Sequence, residues 1–189
     1  GGLSTPTVEM SMRRLSYPKW LNFLLFQAIW FAAILGRESW EWVVAMLVLV
    51  HLVLIKDRTK ELMVILPCAA IGIAVDSLFT LFGVFIFDPI PSVLPIPFWL
   101  IGIWLGFVAT FRHSMSYLLA KPLFAIPAGT IAAPLSYLAG MGLGAVSFGL
   151  DTAVTAIIIG LTWAGLMAVF IRIERSNAPS PSPSNVALI

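Results

Sequence analysis

Apolar side chains fill six stretches of the chain, and most of the charges fall in the connections between them or in the two tails. The stretches run roughly Trp20 to Leu35, Trp40 to Ile55, Leu62 to Phe85, Ile96 to Phe111, Leu123 to Val146 and Thr152 to Ile173. Each reads as a helical span. Several are about 16 residues long, short of the roughly 20 that a hydrocarbon core of about 30 Å requires. The fourth is therefore expected to continue past Arg112.

The fifth stretch is the least regular. Pro127 can sit in its first turns, but Pro134 falls mid-span and removes the helical bond to the carbonyl of Thr130. Such a break is tolerated where a neighbouring helix satisfies the freed group. Ala132, Ser136, Gly140 and Gly144 form a four-residue ladder of small residues, the pattern of tight helix contact. The alternative is a broken helix that forms a substrate site. Between the third and fourth stretches, Asp88-Pro-Ile-Pro-Ser-Val-Leu-Pro-Ile-Pro97 holds four prolines and can form neither helix nor central strand. It is expected to lie as an extended cap on the outer face, acting as a stiff turn or as a lid over a cavity.

Charge then orients the spans. With a membrane drawn through them, ten of the 11 Lys and Arg residues fall on one side. Arg13, Arg14 and Lys19 precede the first span; Lys56, Arg58 and Lys60 follow the second; Arg112 and Lys121 follow the fourth; Arg172 and Arg175 lie at the end of the sixth. The other side holds Arg37, Glu38, Glu41, Asp88 and Asp151. Cytoplasmic loops carry the excess of Lys and Arg, so a polytopic inner-membrane protein with both termini in the cytoplasm is expected. A five-span arrangement would move two cations outside and is disfavoured. Trp20 at one boundary, and Trp40, Trp42 and Trp99 at the other, fit aromatic belts.

Composition agrees: 60% of the residues are hydrophobic and 11% charged, whereas about a quarter of a soluble protein's residues carry charge. The fold expected is all-α, a polytopic bundle of six transmembrane helices over residues 20–173. Residues 1–19 form a cytoplasmic tail, and residues 174–189 a solvated tail whose Pro/Ser tract has nothing to bury. The opening Gly-Gly resembles a tag-cleavage scar, and the first apolar run reads as a retained span rather than a signal peptide. A formal charge of +2 is accounted for by topology, so no nucleic-acid partner is expected. Cys68, the single cysteine, excludes an internal disulfide and a multi-cysteine metal site and reads as an apolar filler.

Asp76 is the one acid deep inside an apolar run. A charge there costs about 2.5–3.5 kcal/mol on insertion scales, so the side chain must face the interior and find a partner. Gly72, Thr80 and Gly83 share its helical face, a small-residue strip suited to close helix approach, while Ile71, Val75, Leu78 and Phe82 suit lipid. Asp76 lies fourteen residues beyond Leu62, about 21 Å into an untilted helix. Tyr137 lies fourteen residues beyond Leu123, at the same depth, and is the expected hydrogen-bond partner. Pairing with Arg112 requires helix stagger and the full reach of its side chain. Asp76 is either functional or a structural hydrogen-bonding acid.

At the inner boundary, Arg112, His113, Ser116 and Tyr117 form the densest polar cluster, at helical spacings that share a face. His51 and Asn22 lie at a comparable depth. Together they can line a cytoplasm-facing pocket in which the planar fork of Arg112 suits a carboxylate or phosphate; the alternative is that Arg112 snorkels to lipid headgroups and only fixes topology. No HExxH, Walker loop, GxSxG or CxxC occurs, and two histidines are too few for a histidine-rich di-iron membrane oxygenase. Ser114 and Ser116 beside His113 lack an orienting acid in sequence. No metal and no cofactor are expected from these motifs.

Five segments carry a family resemblance: Leu21-Asn-Phe-Leu-Leu-Phe-Gln-Ala-Ile-Trp30, Asp76-Ser-Leu-Phe-Thr-Leu-Phe-Gly83, Pro97-Phe-Trp-Leu-Ile-Gly-Ile-Trp104, Phe111-Arg-His-Ser114, and Gly129 through Pro134-Leu-Ser-Tyr137 to Gly140. In this order they resemble the landmarks of a bacterial inner-membrane family designated domain of unknown function 2878, over about residues 20 to 172. The resemblance implies an inner-membrane location and an association with genes for fatty-acid modification in some bacteria. It draws attention to Asn22, Gln27, Asp76, Arg112, His113, Pro134 and Tyr137.

Two functional classes follow. One is a lipid-associated enzyme or accessory factor in which Arg112, with His113, Asn22, Gln27, His51 and Ser116, holds an acidic lipid or fatty acid while Asp76, His113 or Tyr137 handles a proton. The other is a small-solute transporter or membrane-embedded binding subunit: six spans in a short chain resemble the substrate-binding subunits of vitamin transporters, and Ala28 and Ala32 form a small-xxx-small pair on the first helix. A structural partner of another membrane protein is the third reading.

Overall fold

The computed structural model describes residues 17–177. The expectations for Arg13, Arg14 and the rest of residues 1–16, and for the Pro/Ser tract after Asn177, lie outside the described residues. Helices α1 (Lys19–Gly36), α2 (Glu41–Leu54), α3 (Arg58–Leu81), α4 (Phe98–Val108), α6 (Pro122–Gly142) and α7 (Thr152–Ser176) make up the bundle, with the single turn α5 (Ser116–Leu119) between α4 and α6. Four helical stretches, Lys19–Leu54, Arg58–Leu81, Pro122–Gly142 and Thr152–Ser176, are long and apolar enough to cross a membrane, and Phe98–Val108 is a shorter apolar helix.

The first of these stretches is a hairpin rather than one rod. Tyr17 Oη lies 2.9 Å from His51 Nδ1, although the two residues are 34 apart in sequence, about 51 Å along a straight helix. The reversal falls at the 3₁₀ turn Arg37–Trp40, where Arg37 adopts φ 46° in the left-handed region. Arg37 is fixed there by donating from Nη2 to the carbonyl of Leu143, 2.8 Å away.

Helix α4 is the hub, packed against α1, α2 and α3, while α7 joins the closely packed α6 to α3. At one end of the bundle the start of α1, the end of α2, the start of α3 and the end of α4 meet, and Arg175 donates to the carbonyl of Ala120. The opposite end is closed by a two-residue antiparallel ladder of β1 (Phe85–Ile86) and β2 (Ser147–Phe148), with Phe85 opposite Phe148. Trp99 also lies near that end, donating from Nε1 to Glu38 at 3.2 Å.

Several expectations require correction. The third helix stops at Leu81 rather than Phe85, because Gly83 turns left-handed (φ 72°) to enter β1; Gly83 is therefore not a helix-contact residue. Ile71 and Val75 pack partly against the core, while Leu78 and Phe82 are exposed as expected of lipid-facing side chains. The fourth helix does not continue past Arg112. It ends at Val108, where Thr110 turns its hydroxyl back to the Phe107 carbonyl at 2.6 Å and its own carbonyl receives the amides of His113 and Met115. Trp99 is buried in the core, so Trp20, Trp40 and Trp42 alone among the four named tryptophans are exposed at a boundary.

Helix α6 runs unbroken through Pro127 and Pro134. The freed Thr130 carbonyl is covered by the backbone of α7 at Gly160, where a Cβ would come within 3.1 Å of that oxygen. The small-residue ladder does not make the tight contact: Ala132, Ser136 and Gly140 line a cavity, and Gly144 lies beyond the helix with φ 75°. The proline-rich connection is irregular, anchored by buried Phe87 and Ile96 while Ile90 and Val93 stand exposed between them.

Candidate functional site

Helix α3 carries two buried acids, Glu61 in its first turn and Asp76 near its far end. Around each, a separate polar constellation has formed.

Asp76 is 1% exposed. Tyr137 of α6 donates its hydroxyl to Oδ1 and Oδ2 at 2.8 and 2.7 Å, and Trp104 of α4 donates from Nε1 to Oδ2 at 2.7 Å. One carboxyl group thus ties three helices, which is how a buried polar group becomes tolerable away from water. Gly72, one turn before Asp76, lets the Trp104 ring lie directly on α3: a Cβ there would sit 2.3 Å from ring carbons. Trp104 in turn stacks on Trp163 at 5.2 Å and 15°, and Tyr137 stacks on Phe85 at 5.0 Å and 21°. Arg112 is not a partner of Asp76; it lies at the other acid.

Beside this constellation a cavity of about 250 Å³ lies between α1 and α6. Phe26, Trp30 and Ile34 of α1 form one wall, and Gly129, Ala132, Ser136 and Gly140 of α6 the other. Aromatic side chains of α4 and α7 form its floor. Its polar features are few: Tyr137, the Ser136 hydroxyl, and the indole N–H of Trp30, which donates to Ser136 Oγ at 3.0 Å and bridges the two walls.

At the other end, His51 (end of α2), Glu61 (start of α3) and His113 (the connection after α4) converge. His113 Nε2 lies 3.0 Å and His51 Nε2 3.6 Å from the same Glu61 oxygen, Oε1. Arg112 Nε is 3.8 Å from Oε2, while its Nη1 donates to the carbonyl of Lys60 at 2.8 Å. Asn22 organises the surroundings. Its amide nitrogen donates to Tyr17 Oη and to the Ala109 carbonyl, both at 3.1 Å, and its oxygen accepts from Ser114 N at 3.2 Å and Ser114 Oγ at 2.6 Å. The rings of Tyr17, His51 and His113 meet edge to face at 5.0–5.5 Å.

Of the residues singled out in sequence, Asn22, His51, Arg112 and His113 are thus brought together, and Asp76 with Tyr137. Ser116 borders the first group, its hydroxyl donating to the carbonyl of His113 at 2.8 Å. Tyr117 is exposed and pairs with Lys121 instead, because the turn at 110–115 breaks the helical face that the spacing implied. Gln27 is half-buried on α1, with no side-chain hydrogen bond among the described residues. Tyr17, Glu61, Trp104 and Ser114 were missed as site members. Glu61 carried a signal, an acid directly abutting the apolar run that begins at Leu62, with Arg58 and Lys60 as its nearest charges in sequence. Tyr17 and Trp104 carried none, since their partners are distant in sequence.

The fold and these sites define a helical integral-membrane protein with two buried polar centres and an apolar internal cavity. The chain belongs to the family described as protein of unknown function DUF2878, whose model matches residues 19–169. No curated protein and no solved structure matches the chain.

Proposed function

We propose that this is a six-span inner-membrane protein with both termini cytoplasmic, and that it binds a membrane-derived acyl chain in the cavity between α1 and α6. The cavity carries this reading. At about 250 Å³ it exceeds the roughly 150 Å³ void that admits benzene. It falls just below the approximately 300–1,000 Å³ of sites for compact solutes. Its walls are alkyl and aromatic, and α1 and α6 meet there through the Trp30–Ser136 bond rather than by close packing, which supports entry of a hydrocarbon segment between them. These features favour a hydrocarbon segment over a polar vitamin. In this reading Asp76 is a positioning residue that holds Tyr137 at the cavity wall, and the protein serves lipid or fatty-acid modification as an enzyme or accessory factor.

The test is mass spectrometry of lipids retained by the full chain after detergent purification, compared with Ala132→Phe, which places a ring in the cavity from a position exposed to it. Loss of a stoichiometric acyl ligand is expected, with the helical content of the variant unchanged. Equal retention by the variant overturns the reading. Unaltered lipid composition together with lost solute uptake in a deletion strain points to the transporter instead.

A further inference from the structure

We propose that His51, Glu61 and His113 form a three-ligand site for one divalent first-row transition-metal ion at the end of the bundle where α2, α3 and α4 meet. The expectation from sequence was that no metal is bound; the tertiary arrangement is the reason to depart from it.

The geometry is the argument. Both histidines direct Nε2 at a single carboxylate oxygen, at 3.0 and 3.6 Å, and the three donor atoms all lie within 4.8 Å of one another. Ligands about 2.1 Å from a common ion are separated by about 3.0 Å at right angles and about 3.4 Å at the tetrahedral angle. The two imidazole-to-carboxylate spacings therefore lie close to those of ligands on a shared ion. His51 is 2% and Glu61 5% exposed, and Nε2 of His51, buried and aimed into the cluster, has no hydrogen-bond partner among the described residues. A buried imidazole nitrogen with nothing to bond is costly, and an ion removes that cost.

The surroundings are those of a ligand set rather than of a core histidine pair. When Nε2 binds a metal, the other ring nitrogen must carry the proton and be held by an acceptor. Tyr17 Oη, 2.9 Å from His51 Nδ1, supplies that acceptor and is itself fixed by Asn22. Arg112 approaches Glu61 at Oε2 and is tethered to the Lys60 carbonyl, so it engages the carboxylate oxygen that the histidines do not. Two imidazoles and one carboxylate suit zinc or ferrous iron, and three protein ligands leave positions open for water or an anion. The ligands come from separate elements, 10 and 52 residues apart, which is why no HExxH-like motif announces them.

The centre is distinct from the acyl cavity: Glu61 and Asp76 are 15 residues apart on α3, about 22 Å along the helix. The proposal therefore stands or falls independently of the lipid reading.

The experiment uses the full chain in lipid nanodiscs, freed of metal with a chelator. It is titrated with Zn²⁺ by calorimetry and with Co²⁺ by visible absorption, and Fe²⁺ is tested as a competitor. One equivalent is expected, with X-ray absorption of the zinc form showing imidazole scattering and nitrogen or oxygen neighbours only. Affinity is expected to fall at least tenfold in His51→Ala, Glu61→Gln and His113→Ala, and to be unchanged in Cys68→Ala. Should a variant fail to fold, the absorption spectrum of the wild-type zinc form still decides. Substoichiometric binding by the wild type, a spectrum without imidazole, or full affinity in the three folded variants overturns the site.

Discussion

Tyr137 spans both oxygens of Asp76 with one hydroxyl, at 2.8 and 2.7 Å, and so locks α6 to α3 at a point where α4 contributes Trp104 to the same carboxylate. Tyr137→Phe removes that tie and leaves the ring in place. Interhelical hydrogen bonds in membrane proteins contribute about 0.6–2 kcal/mol, so a loss of that size is expected in reversible unfolding in mixed micelles. No measurable loss would show that Trp104 alone satisfies the acid.

Gly72 sets how closely α4 approaches. A methyl group there meets the Trp104 ring at 2.3 Å, a distance only a shifted ring can relieve. Overpacking of this kind costs about 1–3 kcal/mol. Gly72→Ala is expected to lower the unfolding midpoint and to change tryptophan emission, because Trp104 must leave both Asp76 and Trp163.

Asn22 uses its amide fully, with two donations and two acceptances, at 2% exposure. Asn22→Ala leaves the Ser114 amide and the Ala109 carbonyl without these partners, at about 1–3 kcal/mol for each buried group left unmade. The Ser114 amide is expected to exchange hydrogen faster while amides in α6 do not. Unchanged exchange would mean that the turn after α4 holds itself.

Tyr17 lies outside the spans, half-buried, and burial raises its hydroxyl above the ordinary value of 10.0. The folded chain then binds that proton more tightly than the unfolded chain. Its stabilising effect is fully present below the unfolded value and is lost as pH rises through the folded one. The melting temperature of the wild type should therefore fall more steeply above about pH 10 than that of Tyr17→Phe. Parallel pH profiles would assign the alkaline loss to other groups.

Topology can be read by single-cysteine labelling in a Cys68→Ala background. Glu38→Cys should react with an impermeant reagent only from the periplasmic face, and Lys121→Cys only from the cytoplasmic face. Labelling of both from one face would overturn the six-span arrangement.

Hydropathy located every helix of the bundle because a span must be continuously apolar, a property of consecutive residues. Helix ends were less legible. Leu81 and Val108 stop their helices through a left-handed Gly83 and a Thr110 hydroxyl, local bonds that do not alter an apolar window. Depth counting brought Asp76 and Tyr137 to one level because rise per residue is constant. Counting along a helix cannot give azimuth across helices, so it could not assign Arg112 to Glu61 rather than Asp76, or Trp104 to the carboxylate.

The sequence by itself determined a membrane-embedded helical chain, the inward position of Asp76 and the set of polar residues worth attention, since insertion cost and helical periodicity act on each segment alone. The convergence of His51, Glu61 and His113, the tie from Asp76 to Trp104, and the conversion of the Ala132–Gly140 ladder from a helix contact into a cavity wall were decided by tertiary structure. Each depends on which helix lies beside which, and that is fixed by the joint packing of all of them around α4.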